Sequence, residues 1–393
     1  MTRWTRLLLV CLVPLASCKE DVTLIELDPP GRGTYAVGST NMEVADAYAD
    51  IGDEAMGHIL SGDTIQAPDG LYVSGIMKHP ESAWIVDVDV PDDPGTYGTV
   101  AGKSLPVSLF VTWPTETADE PNEYAFPYQD AQFGVFEDML APGESPVFAD
   151  EAAQYPLVIL AHGWSAHGIY DVGHAHSLSR HGYIVAVLFF GDLRERPEED
   201  TGQAAFLRPL FTRAALDAVL ESEEFGARID TDNIGISGHS FGGFTALALN
   251  GGQHRDNPAT VHDPRISASV IAAPWVGNRN GFRTHHAFGD GNETLQRVTV
   301  PVLSFVASND EVTTPATIYP AMKQLSGPTY VIELIDQPHV FDGGSWEDRD
   351  NWELIFFNAY LKGDDAALEA MRSGGSMRGG NEDVQHFDYQ QLP

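Results

Sequence analysis

A serine enclosed by glycines is the stretch of this sequence most suited to chemistry. Residues 238–243 read Gly-His-Ser-Phe-Gly-Gly and fit the pattern G-x-S-x-G, with a strand-like apolar run before and a helix-like apolar run after. A sharp turn in that context lifts the serine hydroxyl above a sheet and places the free amides of a helix N-terminus beneath it. Glycines are needed because neighbouring backbone crowds such a turn. The pattern therefore predicts Ser240 as a nucleophile.

A serine hydroxyl is a weak nucleophile until a base takes its proton, and a histidine base needs a carboxylate to fix its tautomer. In strand–turn–helix sites the chain order is serine, acid, histidine. Asp310 ends the apolar run "VPVLSFVASND", and His339 follows the run "TYVIELID" in the loop "QPHVF". We therefore expect Asp310 as the acid and His339 as the base. The other carboxylates that compete for the role of acid are Glu311, Asp336 and Asp290.

Acyl transfer also needs two N–H donors for the negative oxygen of its tetrahedral intermediate. We expect one from the amide of Phe241, directly after the nucleophile. The second is expected from Trp164, in the loop "AHGWSAHG" after an earlier strand. Trp275, in "APW" after the run "ISASVIAAP", is expected to line the substrate cleft together with Trp164. A buried core position is the alternative for Trp275.

The remaining histidines do not form a metal-binding pattern. His174 and His176 could approach a pocket, but their spacing does not place two ligands on one helical face. His239 is expected to pack at the turn. We predict neither a metal nor another cofactor, and no Asp-x-Asp-x-Asp-Gly loop for calcium is present. The histidines expected at the surface are His254, His262, His285 and His286.

The elements that must position these residues alternate between apolar strands and helices from residue 155 onward. Such alternation predicts an α/β fold with a mostly parallel sheet covered by helices on both faces. In such sheets, ligands bind at the carboxyl ends of the strands, where all the candidate residues fall. The predicted strands are "YPLVILAHG", "GYIVAVLFF", "DNIGISGHS", "ISASVIAAP", "VPVLSFVASND" and "TYVIELID". The predicted helices are around 206–220, "FGGFTALALN" and "DNWELIFFNAYLKG".

One domain is expected over residues 35–393. Its first part, residues 35–154, contains strand-like runs that we expect as antiparallel strands flanking the main sheet: "GLYVSGIM", "SAWIVDVDV" and "LPVSLFVTWP". Residues 155–363 form the core, where Gly363 follows the last helix. Residues 364–393 are expected as a tail. Residues 277–297 are polar and glycine-bearing and could form a small flap, but no large cap domain is inserted.

The N-terminal residues have the pattern of an export signal. Residues 1–17 combine a basic start, an apolar run and small residues, which is typical of a cleaved signal peptide. The following "LASC" resembles the lipobox of bacterial lipoproteins, in which the cysteine carries lipid and becomes the new N-terminus. We therefore expect a lipid on Cys18, a tether over residues 18–34 and a bacterial cell-envelope location. Ordinary cleavage beside a chance cysteine is the alternative.

Composition limits the partners. The chain has 57 acidic and 22 basic residues, a net charge of −35. Such a surface repels nucleic acid and anionic membranes, so neither is expected to bind the protein directly. We interpret the charge as a solvated acidic coat. The expected partners are an ester substrate and, through the lipid anchor alone, a membrane.

The region from Tyr155 to His339 resembles α/β-hydrolases. It is most similar to the group that contains platelet-activating-factor acetylhydrolases, dienelactone-hydrolase-like proteins and cutinase-like polyester hydrolases. Dienelactone hydrolases proper use cysteine where this chain has serine. Similar acetylhydrolases place the acid soon after "ISASVIAAP", whereas Asp310 matches the polyester-hydrolase position. The matching motifs are "HGWSAHG", "LSRHGYIVAV", "GHSFGG", "PVLSFVASNDEVTTP" and "PHVF".

The resemblance implies hydrolysis of neutral or hydrophobic carboxylic esters through a Ser-His-Asp triad and an acyl-enzyme. It does not name the acyl chain or the alcohol. Two other interpretations remain open. Serine oligopeptidases share the glycine–serine turn, although they carry a large propeller for which the region before residue 155 is too short. A catalytically inactive surface protein that only binds ligands could also retain this fold.

The lipobox resemblance makes a direct prediction. Cys18→Ser should abolish incorporation of radioactive palmitate and leave the precursor uncleaved, because the lipid and the processing site share that residue. Cys11→Ser, within the removed segment, is the matched control and should keep both. The measurement is autoradiography of the protein from labelled cells. A wild-type protein that takes up no label would contradict the lipid anchor.

Overall fold

The structure is a computed structural model that describes part of the chain. The described residues are 25–48, 74–117, 124–125, 135–140, 144–191, 201–256, 261–280, 283–373, 375–378 and 384–390. The predicted signal peptide and Cys18 lie outside these ranges. Within them, no helix is both long and apolar enough to cross a bilayer.

The described ranges contain short strands at both ends and a regular alternation of strands and helices between them. The strands are β1 Ile25–Leu27, β2 Ala36–Ser39, β3 Trp84–Asp89, β4 Ser104–Thr115, β5 Tyr124–Ala125, β6 Val135–Phe136, β7 Asp138–Met139, β8 Tyr155–Ala161, β9 Ile184–Phe189, β10 Ile229–His239, β11 Ile266–Ala272, β12 Gly277–Asn280, β13 Arg283–His286, β14 Val302–Ala307, β15 Thr329–Leu334, β16 Gly375–Met377 and β17 Val384–Gln390. The helices are α1 Pro94–Tyr97, α2 Val172–Arg180, α3 Thr201–Glu221, α4 Phe241–Leu249, α5 Pro315–Met322, α6 Gly343–Leu361 and α7 Asp365–Ser373.

One large sheet forms the centre of the fold. Its eleven strands include the order β17-β15-β14-β11-β10-β8-β9-β4-β2-β7, with β3 also paired to β4. The six strands from β9 to β15 in this order run parallel to one another. They are the six that the sequence predicts, and the α/β class with a mostly parallel sheet is confirmed.

Helices cover both faces of this sheet. Alternate residues of a strand point to opposite sides, so each face contributes side chains to its own buried cluster. Leu157 and Ile159 of β8 belong to one buried cluster, which includes residues of α3 and α4. Val158 and Leu160 belong to a second cluster, which includes residues of α2 and α6. Such two-sided burial explains why β8 reads as a continuous apolar run.

The order of the strands reverses at β8. The chain passes from β8 to β9 on one side and then returns to β10 on the other side of β8. Loops that leave the carboxyl ends of strands at such a point diverge, which opens a crevice for a ligand. The loop after β8 contains Trp164, and the turn after β10 contains Ser240.

The N-terminal strands flank the sheet as predicted, with one difference. β4 runs antiparallel to β9, β3 and β2. The described part of "GLYVSGIM" is instead a 3₁₀ turn, Ser74–Ile76, followed by a single bridge from Met77 to Val44. Ile76 and Met77 are both buried although they are adjacent in the chain, which a strand with one buried face does not allow.

The two ends of the domain contain more structure than the expected tether and tail. β1 lies within the expected tether and pairs in parallel with β16. Within residues 364–393, α7 packs on α6, and β17 pairs antiparallel with β15 at the edge of the sheet. Gly363, after the end of α6, has a positive φ of 67°, as its position predicts. In the expected flap, β12 and β13 pair antiparallel with each other.

A buried group of charges joins α2 and α6 to the sheet. The two ring nitrogens of His174 lie 2.9 Å from Asp350 and 2.8 Å from Glu353. Arg349 lies 3.3 Å from Glu353 and donates a hydrogen bond to Ser237 of β10 at 3.2 Å. Burial opposes a charge on His174, but the two carboxylates outweigh it and raise its pKa to about 10. His174 is therefore a cation that holds two helices together, not a pocket residue.

This charge group predicts a large loss of stability when its central carboxylate is removed. Glu353→Gln should lower the free energy of unfolding by about 3–5 kcal/mol, because the buried cations of His174 and Arg349 lose their shared partner. Glu347→Gln, at an exposed position of the same helix, should change it by less than about 0.5 kcal/mol. Urea denaturation of both variants measures the difference. Equal urea midpoints for the two variants would contradict the role of Glu353 as the shared partner of His174 and Arg349.

Candidate active site

The turn between β10 and α4 holds Ser240 in an unusual backbone conformation. Its φ of 55° and ψ of −114° lie in a region that residues other than glycine seldom adopt. The Ser240 amide donates to the carbonyl of Ala272 at 2.8 Å, and its carbonyl accepts from the amide of Trp275 at 2.9 Å. The end of β11 therefore holds the strained serine on both sides.

The glycines around Ser240 are required by close backbone contacts. A Cβ atom on Gly238 would overlap the backbone of Gly242, and one on Gly242 would overlap the carbonyl of Ala161 at the end of β8. A Cβ atom on Gly243 would lie 2.8 Å from Pro274. Each position therefore excludes a side chain, which lets the turn pack directly against β8 and the segment after β11.

The structure brings Ser240, His339 and Asp310 into one hydrogen-bonded chain. The Nε2 atom of His339 lies 2.9 Å from the Ser240 hydroxyl, and its Nδ1 atom lies 2.7 Å from Oδ2 of Asp310. The serine and the carboxylate are buried, whereas the imidazole is 18% exposed. All three residues follow carboxyl ends of parallel strands, namely β10, β14 and β15. The arrangement suits transfer of the serine proton to the imidazole.

Asp310 is held in place by four donors. Its Oδ1 atom accepts from the amides of Val312 at 2.7 Å and Thr313 at 2.8 Å. Its Oδ2 atom accepts from the Thr313 hydroxyl at 2.6 Å and from His339. Burial raises the pKa of Asp310, but the hydrogen bonds from His339 and Thr313 outweigh burial, so the pKa lies below its ordinary value. An ionised Asp310 keeps the proton of His339 on Nδ1 and leaves Nε2 free to accept.

The three competing carboxylates lie elsewhere, and all are exposed. The carboxylate of Asp336 faces the side-chain amide of Asn309, at 3.4 Å. Asp290 lies just beyond the β12–β13 hairpin, where its amide donates to Glu293. Glu311 is adjacent to Asp310 in the chain, but the ring of His339 faces Asp310.

Two candidate amide donors lie beside the serine. Phe241 is the first residue of α4, and the amides of a first helical turn have no acceptor within the helix. Gly163, before Trp164, packs so closely that an added Cβ would lie 3.4 Å from the Cβ of Ser240. Among the described residues, neither the Trp164 amide nor the Phe241 amide donates to a protein acceptor. Both remain available to a negative oxygen bound at Ser240.

Two tryptophan rings pack against Phe241, the residue directly after the serine. The ring centroid of Phe241 lies 5.6 Å from that of Trp164 and 5.3 Å from that of Trp275. Trp164 and Trp275 are half-buried, and the indole N–H of Trp275 donates to Asn278 at 2.9 Å. Val312 and Val340, beside the acid and the histidine, are exposed. Trp275 is therefore at the site and not in the interior of the core.

His239 connects the serine turn to the histidine loop. Its Nε2 atom lies 2.8 Å from the carbonyl of His339. Burial, helped by the nearby imidazole of His339, lowers the pKa of His239 to about 3. The ring is therefore neutral, and its Nε2–H donates to the carbonyl. This contact fixes the backbone of the base relative to the nucleophile.

Sequence reasoning missed several residues around the site. Thr313 follows Asp310 by three residues, a spacing at which a threonine hydroxyl reaches a carboxylate in a tight turn. Arg208 on α3 and His162 after β8 support the loop that carries Trp164, and no local motif marks them. His254, expected at the surface, is half-buried with its ring against Phe206, at 5.0 Å between centroids.

A separate cavity of about 620 Å³ shares no residue with this site. Its lining contains no histidine. Four of its lining residues are glutamates: Glu81, Glu144, Glu221 and Glu224. In the described ranges, no group of three or more histidine, cysteine or acidic residues is placed to hold a metal ion. The Ser240–His339–Asp310 chain is therefore the arrangement best suited to chemistry.

The sequence matches no protein-family model and no curated protein. The assignment of a function depends on the geometry of the site and on the motifs of the chain itself.

The geometry predicts that Ser240 reacts with a fluorophosphonate and that this reaction depends on Asp310. Asp310→Asn should slow labelling by at least about 10²-fold, because the amide favours the wrong tautomer of His339, an effect that costs about 10⁴-fold in serine proteases. Asp336→Asn, Glu311→Gln and Asp290→Asn are matched controls and should stay within about tenfold of wild type. The rate of modification of Ser240 is followed by mass spectrometry, with folding checked by circular dichroism. If Asp290→Asn is the impaired variant, the assignment of the acid is wrong.

Proposed function

We propose that this protein is a serine hydrolase with an α/β-hydrolase fold that cleaves carboxylic esters. The observation that carries the proposal is the continuous chain of hydrogen bonds from Ser240 through His339 to Asp310, at 2.9 and 2.7 Å. It lies at the carboxyl edge of a mostly parallel sheet, beside the reversal of strand order at β8. Both the site and its place in the sheet are those expected of this fold.

The reaction begins when His339 accepts the serine proton and Ser240 Oγ attacks the ester carbonyl. The amides of Trp164 and Phe241 stabilise the resulting oxyanion. His339 then gives the proton to the departing alcohol, which leaves an acyl-enzyme on Ser240. Water, activated by the same imidazole, releases the acid. Asp310 remains ionised throughout and stabilises the imidazolium.

The surroundings of the triad favour neutral or hydrophobic esters. Half-buried tryptophans and exposed valines present apolar surface next to Ser240. The net charge of −35 disfavours anionic substrates at a distance. A lipid-like ester, a small ester and a polyester all meet these conditions. The proposed location is the bacterial cell envelope, through a lipid on Cys18.

A substrate panel tests the proposal. The wild-type protein should hydrolyse nitrophenyl esters, and at least one of triglyceride, phospholipid or polyester, with retention of activity in a chelator. Ser240→Ala should lose this activity by at least about 10⁴-fold, because the nucleophile is absent. Ser326→Ala, at an exposed position, is the matched control and should remain fully active. Release of nitrophenol or titration of acid gives the rates.

Two results would contradict ester hydrolysis. Turnover of peptides without turnover of esters would favour a serine peptidase. Tight binding of an ester by wild type, with neither hydrolysis nor labelling of Ser240, would favour a ligand-binding protein with an inactive hydrolase fold.

A further inference from the structure

Arg208 is a completely buried cation next to the proposed active site. It lies on α3, and its side chain is directed at the loop after β8. Its Nη1 atom donates to the carbonyl of His162 at 2.5 Å, and its Nη2 atom donates to the carbonyl of Gly163 at 3.0 Å. Burial of a guanidinium is costly unless its donors are satisfied. The hydrogen bonds to these two carbonyls therefore offset part of the cost of burying the guanidinium.

Aromatic rings cover the guanidinium. Its central carbon lies 4.4 Å from the ring centroid of Phe190 and 5.1 Å from that of Phe241. The planar group can stack on aromatic faces while it donates in its own plane, which an ammonium does less well. Phe241 is also the residue whose amide is the proposed first oxyanion donor. Arg208 thus contacts both loops that would supply the oxyanion site.

His162 completes the support of the same carbonyl. Its Nε2 atom accepts from the amide of Phe190 at 3.2 Å, so the proton of the neutral ring lies on Nδ1. That Nδ1–H donates to the carbonyl of Gly163 at 2.8 Å. The amide of Ala166 donates to this carbonyl as well, at 3.3 Å. Three donors therefore converge on one carbonyl oxygen, which fixes the orientation of its peptide plane.

That peptide plane carries the second oxyanion donor. The carbonyl of Gly163 and the amide of Trp164 belong to one trans peptide, in which C=O and N–H point in opposite directions. Donors that hold the carbonyl towards Arg208 therefore direct the Trp164 N–H away from it. The same loop contacts Ser240, since a Cβ on Gly163 would lie 3.4 Å from the serine Cβ.

We propose that Arg208 is a positioning residue for catalysis, which fixes the Gly163–Trp164 peptide so that the Trp164 amide meets the oxyanion. Its charge also polarises this peptide and makes the N–H a stronger donor. Arg208 touches no reacting atom, so it acts through the peptide alone. This inference rests on the proposed ester hydrolysis. It predicts that loss of Arg208 weakens binding of the transition state and leaves binding of the ester itself unchanged.

Two substitutions at Arg208 test this role. Arg208→Met keeps the length of the side chain and removes every donor, and Arg208→Lys keeps the charge with a different donor geometry. Arg213→Met is the matched control, because Arg213 lies on the same helix but is exposed and pairs with Asp263 at 3.7 Å. Rates with 4-nitrophenyl butyrate are expressed per active site, titrated with a fluorophosphonate, so that partial unfolding does not lower them.

Arg208→Met should lower kcat by about 10²-fold, near the loss expected for one missing oxyanion donor, with KM within about threefold of wild type. The kcat of Arg208→Lys should lie between those of Arg208→Met and wild type, and the kcat of Arg213→Met should equal that of wild type. Affinity for phenylboronic acid, which forms a tetrahedral adduct with a serine, should fall in parallel with kcat/KM. Affinity for 4-nitrophenyl butyl ether, which resembles the intact ester, should not change.

A merely structural role gives a different result. It would lower the unfolding temperature and the number of titrated sites, but kcat per site would stay within about threefold of wild type, and both inhibitors would weaken equally. An unchanged kcat per site in Arg208→Met, or equal weakening of both inhibitors, would overturn the positioning role. If only Arg208→Lys folds, the same two measurements on that variant decide. Wild-type protein that hydrolyses no ester would instead overturn the proposed function, before any variant is compared.

Discussion

The contact between Gly242 and the carbonyl of Ala161 sets the distance between the serine turn and the loop that carries Trp164. It brings the start of α4 against the end of β8 at a distance that no side chain would allow. The strained serine and the amide of Phe241 lie on one side of this contact, and the loop with Trp164 leaves the strand on the other. A methyl group at Gly242 would separate the nucleophile from one of its two proposed donors by moving the helix.

Polar contacts from several elements hold the strand ends around that contact. Arg208 on α3 holds the loop after β8, and the neutral ring of His239 joins the serine turn to the backbone of His339. On the other face of the sheet, Arg349 of α6 reaches Ser237, two residues before His239. The Ser240–His339–Asp310 chain is therefore supported by polar contacts from helices on both faces of the sheet.

Local patterns in the sequence were sufficient to predict the central strands and to place Ser240, His339 and Asp310 at one edge of the sheet. Parallel strands buried on both faces read as apolar runs, and residues just after them must gather at one edge of the sheet. Arg208 could not be predicted in this way, because it binds backbone carbonyls of residues 45 and 46 positions away, and carbonyls leave no signature in a sequence. His174 likewise pairs with carboxylates on a helix more than 170 residues later. The turn at Ser74–Ile76 was missed because adjacent apolar residues resemble a strand until their neighbours are known.

The pairing of β1 with β16 has a consequence for how such a body would sit on a membrane. With a lipid on Cys18, the seven residue steps to Ile25 would be all that separates the bilayer from the β1–β16 pair, a leash of at most about 25 Å. The acidic surface would resist approach to anionic headgroups within a screening length of about 8–10 Å. Together, a lipid anchor and this repulsion would hold the protein in a thin layer above the bilayer. If the protein hydrolyses esters as proposed, esters that partition into that layer would reach Ser240 at a local concentration far above their concentration in solution.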